Sequence, residues 1–371
     1  MPPRFPPCEN QAKVNGSTEI DVRPRTRGGS RRAIELTGAK GTAHHLFHDS
    51  PVNHSARARP NVLPLITVIT PAFNAERFVA EAIRSVLSQT CADFEYLIID
   101  DGSTDATATI AQEYAGKDAR VRVLSNRANS GLSHARNEGL RCAEGRYVAF
   151  LDADDIWEPT FLARTLEEIE RTPDVGAVFT WSLNFGEDIR SIVDAPRGGD
   201  YDFSDLFQGI CPPRNGSCLL IDKRCFSEVG GFLTTLRVGA DAEMWLRMSS
   251  RCSESLKRFR CIPDVLARRR VRSNSMSADF FTEERLKSWS YRLETYLACL
   301  PRERQFDVLF MHVSAVARMG NHHSSPWLDH WKRMARRTYR DELVRRSRAW
   351  HLLSFIPARL LLTMRDLVSR F

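Results

Sequence analysis

Apolar and polar positions switch between two periods along residues 65–170. Leu65-Ile66-Thr67-Val68-Ile69 is a short β-branched run closed by Pro71, which predicts a strand. Asn74 is placed to cap the helix that follows, where Val79, Ile83, Val86 and Leu87 recur at helical spacing to about Gln89. Tyr96-Leu97-Ile98-Ile99 is continuously apolar, as in a strand buried on both faces of a parallel sheet. The polar turn Asp100-Asp101-Gly102-Ser103-Thr104-Asp105 leads into a predicted helix over 105–115, and residues 120–124 alternate as a strand. Leu132, Ala135, Gly139, Leu140 and Ala143 share one face of a further helix. Tyr147-Val148-Ala149-Phe150-Leu151 is again an apolar strand and runs into Asp152-Ala153-Asp154-Asp155. This alternation predicts an α/β fold on a mostly parallel, doubly wound sheet. Ligands bind outside the carboxyl ends of such strands. The turns 70–76, 100–105 and 152–155 should therefore meet in one crevice.

Beyond this repeat the pattern predicts a helix over 159–171, a strand near 175–180, irregular chain over 182–212 and a strand over 217–221. A helix over 240–250 and two short strands near 256–270 come next. After Asp279 the pattern is helical, roughly 282–298, 303–318, 326–346 and 348–370. The expected organisation is a basic disordered tail (1–60), an α/β domain (61–278, in two parts at 65–170 and 171–278) and a helical extension (279–371). Activity is expected to survive in a chain that begins near Val62.

Of the 371 residues 42% are hydrophobic, enough for a sizeable core. The net charge of +7 is carried by the ends: residues 1–60 hold 10 basic and 5 acidic side chains, residues 328–371 hold 11 and 4. The stretch between them is mildly acidic, and its basic runs lack interleaved aromatics, which argues against a nucleic-acid binder. Nine cysteines without a CxxC pair read as free thiols of a reducing cytoplasm, the sevenfold spacing of Cys211, Cys218 and Cys225 included. His44, His45, His48 and His54 fall in the tail and are not expected to form a metal site. No signal peptide and no membrane span is expected.

Asp152 and Asp154 flank one residue at a strand end, a spacing that lets two carboxylates face one small volume. Hard oxygens in an open site suit Mg²⁺ or Mn²⁺ carrying substrate phosphates. The glycine loops that usually cradle phosphates are absent, so a metal bridge is the natural substitute. Helix capping by Asp154 and Asp155, and a simple turn at Asp100-Asp101, would explain the same residues without chemistry.

The runs TVITPAFNAERFVAEAIRSVLSQT, EYLIIDDGSTDAT and NSGLSHARNEGLRCAEGRYVAFLDADDIW closely resemble the nucleotide-binding half of family 2 glycosyltransferases. The resemblance implies an inverting, metal-dependent enzyme of the GT-A fold that uses a nucleotide-diphospho-sugar. It places Pro71, Ala72, Phe73, Asn74 and Glu76 around the nucleoside, with Phe73 against the base. It implies that Asp101 accepts a bond from the base, that Asn129, Gly131 and Arg136 lie beside ribose and diphosphate, that Asp152 sits near ribose and metal, and that Asp154 ligates the metal. Residues 239–247 resemble the segment that supplies the catalytic base, which assigns that role to Asp241, with Glu243 as the fallback and a helix cap as the structural alternative. Ala240 replaces the family's usual Glu, and Arg272 stands where His is common.

The implied reaction is a single displacement. A carboxylate base activates the acceptor hydroxyl, and a Mn²⁺ or Mg²⁺ ion offsets charge on the leaving diphosphate. Cell-surface polysaccharide or glycolipid synthesis at the cytoplasmic face of the membrane is the family expectation. Transfer to polyprenyl phosphate and a catalytically silent assembly partner are the alternatives. Trp327, Trp331, Trp350, Phe355 and Phe371, set among basic residues, could form an amphipathic surface for peripheral membrane contact, or simply a packed helical face.

Overall fold

A computed structural model of the chain describes residues 63–186, 192–194, 197–207, 213, 215–272, 283–302, 304, 305, 307–309, 331 and 333. The tail over 1–60, its four histidines, Cys211 and most of the predicted helices after residue 303 lie outside the described residues.

Four parallel strands form the first half of a ten-stranded sheet: β1 (Ile66–Ala72), β2 (Phe94–Asp100), β3 (Val121–Ser125) and β4 (Tyr147–Phe150), in the order β3-β2-β1-β4. Every residue of β1, β2 and β4 is buried, which is why their sequences read as apolar runs rather than alternations. The helices α1 (Val79–Leu87), α2 (Thr107–Ala115) and α3 (Leu132–Cys142) connect them, as the periodicity predicts. β1 runs through Pro71 rather than ending before it. Its pairing with β4 stops at Ile69, so the missing N–H of Pro71 breaks no bond to that strand.

The second half is mixed. A two-residue strand β5 (Ile156–Trp157) and helix α4 (Phe161–Arg171) precede β6 (Val175–Gly186), β7 (Ile192–Asp194), β8 (Gly199–Tyr201) and the short helix α5 (Phe203–Phe207). β9 (Leu219–Asp222), α6 (Arg224–Val229), α7 (Ala240–Arg251), β10 (Arg258–Val271) and α8 (Glu283–Tyr296) complete the order. The expectation of irregular chain over 182–212 is corrected: β6 continues to Gly186 and pairs with β7, and β8 pairs with β10. The two short strands expected near 256–270 are one strand of 14 residues. Pro263 interrupts its alternation, and register shifts between Ile262 and Ala267 absorb the break.

β9 lies antiparallel between β4 and β6, and β6 is parallel to β10. It follows that β4, β6 and β10 all end at the sheet edge where β1 and β2 end, and that β9 begins there. The chain before β9 and the end of β10 therefore join the crevice that the sequence assigned to the loops after β1, β2 and β4. Beneath it, Phe150, Phe226, Phe232, Trp245 and Phe259 form a chain of mostly edge-on ring contacts with centroids 5.3–6.3 Å apart.

Trp331 is fully buried, and its indole N–H donates to Ser290 Oγ at 3.2 Å. For this residue the packed helical face is the alternative realised: the ring packs on α8. The other four aromatics of that set lie outside the described residues. Among the described residues no helix is long and apolar enough to cross a membrane, and every described cysteine is a free thiol, with Cys218 and Cys225 buried.

Candidate active site

The loops after β1 and β2 are stitched together by side chains that the sequence had pointed at a ligand. Asn74, at φ 47°, accepts from the Thr104 N–H at 2.9 Å, and its own N–H donates to Ser103 Oγ at 3.0 Å. It does not cap α1. Glu76 accepts from the Ala106 N–H at 3.0 Å and donates its own N–H to Asp105 Oδ2 at 3.1 Å. Asp105 in turn holds Thr107, and despite the cost of its partial burial those bonds pull its carboxyl below the ordinary range. The result is a rigid wall from which Phe73 protrudes, 45% exposed, while Pro71 and Ala72 stay in the sheet.

Asp101 is 3% exposed and fastens the loop before α3. Its carboxylate accepts from Asn126 Nδ2 at 3.0 Å, the Ser130 N–H at 3.1 Å and the Gly131 N–H at 2.7 Å. Asn129 Oδ1 also accepts from the Gly131 N–H, at 2.9 Å. The two loops touch at Gly102, where φ is +73° and a Cβ would lie 2.7 Å from the Ala128 carbonyl carbon. Five of the residues matched to nucleotide binding, Asn74, Glu76, Asp101, Asn129 and Gly131, thus also build the wall's own frame.

The centre of the site is Arg136, on α3 and 1% exposed. One arm of its guanidinium donates to Asp152 Oδ1 at 2.7 Å, and the other pairs with Asp241 Oδ1. The cation stacks over Phe150 at 5.7 Å and Phe232 at 5.3 Å. Gly216 leaves it room, since a Cβ there would lie 2.9 Å from its Nη2. Burial works against the charged guanidinium, but Asp241 and Asp152 outweigh it and hold its pKa above the ordinary value. For Asp241 burial wins: desolvation pushes its carboxyl up, against the opposing pull of Arg136. The helix-cap alternative for Asp241 is not realised, because the N-cap of α7 is Gly239 and Asp241 turns to Arg136.

Asp154 pairs with Arg272 at 2.7 Å. Burial, and then the neighbouring Asp152, raise its carboxyl, with Arg272 pulling the other way. Asp155 is structural: it accepts from Ser217 Oγ at 2.7 Å and from the Arg270 N–H at 2.9 Å. Burial pushes its carboxyl well up, and Asp152 and Asp154 add to the shift. Neither acid caps α4. Ser217 Oγ also accepts from the Asp152 N–H at 3.1 Å, so the turn before β9 sets the height of both aspartates. Glu243, the fallback base, is fully buried against Arg247, with the Tyr296 hydroxyl donating to it at 2.6 Å. It is out of reach of any acceptor and instead ties α8 to α7.

Ser217, Phe232 and Phe78 were given no role by the sequence reading, and Arg270 entered it only as the first residue of the stretch in which Arg272 stands where His is common. Phe78 lies under the guanidinium groups of Arg270 at 4.9 Å and Arg272 at 5.1 Å, joining the β1 loop to the end of β10.

Asn215, in the same turn, is 6% exposed, and neither amide atom has a hydrogen-bond partner among the described residues. An unpaired buried amide carries a desolvation penalty that a leucine of similar size would not. Asn215→Leu is expected to raise stability by about 1–3 kcal/mol, read as a higher melting temperature. A lower one would mean that the amide is bonded in solution.

A mostly parallel sheet flanked by helices, with its loops meeting in one crevice at the carboxyl edge, is the GT-A fold of glycosyltransferases. Staphylococcus aureus TarS 1–349, solved with UDP-GlcNAc, superposes with a TM-score of 0.57 at 17% identity, covering 72% of this chain and 79% of that one. The mannosyltransferase PcManGT of Pyrobaculum calidifontis, solved with GDP-Man and Mn²⁺, gives 0.51 at 21% identity, covering 82% of this chain and 85% of that one. The profile of glycosyl transferase family 2 matches residues 67–230. TuaG of Bacillus subtilis (strain 168), a putative teichuronic acid biosynthesis glycosyltransferase, is 32% identical over 233 residues, which are 62% of this chain and 87% of TuaG. The chain belongs to family 2 of the glycosyltransferases. It spans a smaller part of other relatives: EpsJ of the same organism is 43% identical over 110 residues, 30% of this chain and 32% of EpsJ.

Proposed function

We propose that this chain transfers a sugar from a nucleotide-diphospho-sugar to a hydroxyl acceptor, with inversion, in the assembly of a cell-surface polysaccharide or glycolipid. The observation that carries the reading is Arg136: one buried guanidinium joins Asp152, at the diphosphate end, to Asp241, at the acceptor end. The transferred sugar has to lie between those two carboxylates, within reach of both.

The nucleoside rests against Phe73 and the wall at Pro71, Ala72, Asn74 and Glu76, with Asp101 and the segment Asn129, Gly131 beside it. Asp241 has one oxygen on Arg136, and the other is left to accept the proton of the acceptor hydroxyl. As that proton leaves, the hydroxyl oxygen bonds to the anomeric carbon, and the bond from this carbon to the diphosphate oxygen breaks on the opposite face. No carboxylate nucleophile is required. The base being a carboxylate, activity rises as Asp241 ionises. Because its pKa is raised, that limb lies above the ordinary Asp range.

The donor set fits a hard divalent cation. Asp152 and Asp154 each commit one oxygen to a guanidinium and have one left, and a Mg²⁺ or Mn²⁺ site of this kind is completed by substrate phosphates and water. Among the described residues no group of three or more His, Cys, Asp or Glu forms a self-sufficient cage, so substrate oxygens are needed. Asp154 and Asp152 would hold such an ion, which when bound supplies Lewis-acid compensation for the leaving diphosphate.

The deciding measurement is nucleoside-diphosphate release from a panel of nucleotide sugars with Mn²⁺ or Mg²⁺. Slow hydrolysis of one donor is expected, lost with EDTA and reduced at least about a hundredfold in Asp154→Ala. Silence across the panel, with no calorimetric binding of UDP, GDP or dTDP, would leave a catalytically silent relative of the family.

A further inference from the structure

β10 ends in Arg268, Arg269, Arg270 and Val271, and the next residue, Arg272, sits on the carboxylate assigned above to the cation. Arg272 Nη2 lies 2.7 Å from Asp154 Oδ2, with the two side chains 33% and 20% exposed. The guanidinium is steadied by the Phe78 ring, 5.1 Å away. Arg270 shares that ring and donates from Nε to the Asp154 carbonyl at 3.0 Å. Asp154 is thus paired with this chain's own positive charge.

A divalent ion on Asp154 and a guanidinium on the same carboxylate repel each other. Arg272 has somewhere else to go. Phe78 belongs to the loop after β1, on the nucleotide side, and a guanidinium can turn on that ring towards diphosphate oxygens, which suit its planar fork. We propose that Arg272 is a resident cation that blocks Asp154 until a nucleoside diphosphate draws it away, so that metal and donor bind as a coupled pair. The proposal rests on the assignment of Asp154 as a metal ligand. Its chemical requirement is narrow: the partner must offer phosphate oxygens to the arginine and to the metal together. Coupling of this kind is reciprocal, so the metal tightens nucleotide as much as nucleotide tightens metal.

The test is Mn²⁺ binding to the full chain, followed by electron paramagnetic resonance of the free ion and by calorimetry, with and without UDP, GDP and dTDP. In the wild type, metal alone should bind weakly, and one nucleotide should tighten it by about tenfold or more. Arg272→Gln should bind metal alone about tenfold tighter than the wild type, with the effect of nucleotide shrinking to match. Arg272→Lys keeps the charge and should keep the blockade, which separates charge from a general disturbance of the strand end. If Arg272→Gln bound metal alone as the wild type does, or if wild-type metal affinity were the same with and without nucleotide, the proposal would be overturned while the glycosyltransferase reading stood. A wild type that bound no nucleotide at any metal concentration would remove both.

Discussion

Arg136→Met is expected to destabilise the protein by about 3–5 kcal/mol, the usual cost of taking one partner out of a buried ion pair. Methionine fills much of the space beside Phe150 and Phe232, so the loss is chiefly electrostatic rather than a cavity. The variant leaves Asp152 and Asp241 facing each other without the charge that now separates them. The pH dependence follows from the sign of the Asp241 shift. Burial already raises that carboxyl above its ordinary value, and Arg136 is the largest influence pulling it down. Without Arg136 the folded-state pKa rises further above the unfolded one. The contribution of Asp241 to the variant's stability is then fully present below the ordinary Asp range and is lost as pH climbs through the raised value. Denaturant unfolding at pH 5 and pH 8 should show the gap to wild type widening at the higher pH. Adding Asp241→Asn to Arg136→Met should restore part of the loss, because a neutral amide no longer opposes Asp152. Strict additivity of the two changes would mean that the pair is not coupled.

The frame of the fold was readable because it depends on local periodicity. Runs such as Tyr96 to Ile99 sit in strands buried on both faces, and four β-α units leave few ways to wind a sheet. Which loops share the crevice followed from strand direction alone. Hydrogen bonds between segments far apart in sequence were not readable. Asn74 carries the signature of a helix cap, yet it bonds to Thr104, 30 residues away, because the turn at φ 47° aims it across the crevice. Asp155 has the same composition signal as Asp154, and only its bonds to Ser217, 62 residues on, and to the Arg270 N–H distinguish it as a structural acid. Trp331 looks amphipathic in a basic stretch, and nothing local reveals that Ser290 receives its indole N–H. Pro263 stands inside β10, and the register shifts beside it hold it within one continuous strand where the pattern suggests two short ones.

Asp241→Asn should lower kcat by about 10²–10⁴-fold while leaving donor binding within about threefold of wild type. An amide keeps the shape of the carboxylate and can still accept from Arg136 through its oxygen, so the site remains assembled. It cannot take a proton from the acceptor. The wild-type profile should show activity falling as pH drops through the raised Asp241 pKa, and the variant's residual rate should lose that limb. Asp241→Glu provides the second arm: the longer side chain keeps the base but shifts it by about one methylene, so partial activity with the acid limb retained is expected. Glu243 cannot substitute, because Arg247 and Tyr296 occupy its oxygens in a fully buried setting. If Asp241→Asn kept wild-type kcat with an unchanged pH profile, the base would have to be sought elsewhere, and Arg136 would be a structural bridge alone. If kcat and donor affinity fell together, Asp241 would be acting through Arg136 and Asp152 on the diphosphate. Retained donor affinity with a collapsed kcat and a missing acid limb is the combination that only a general base produces.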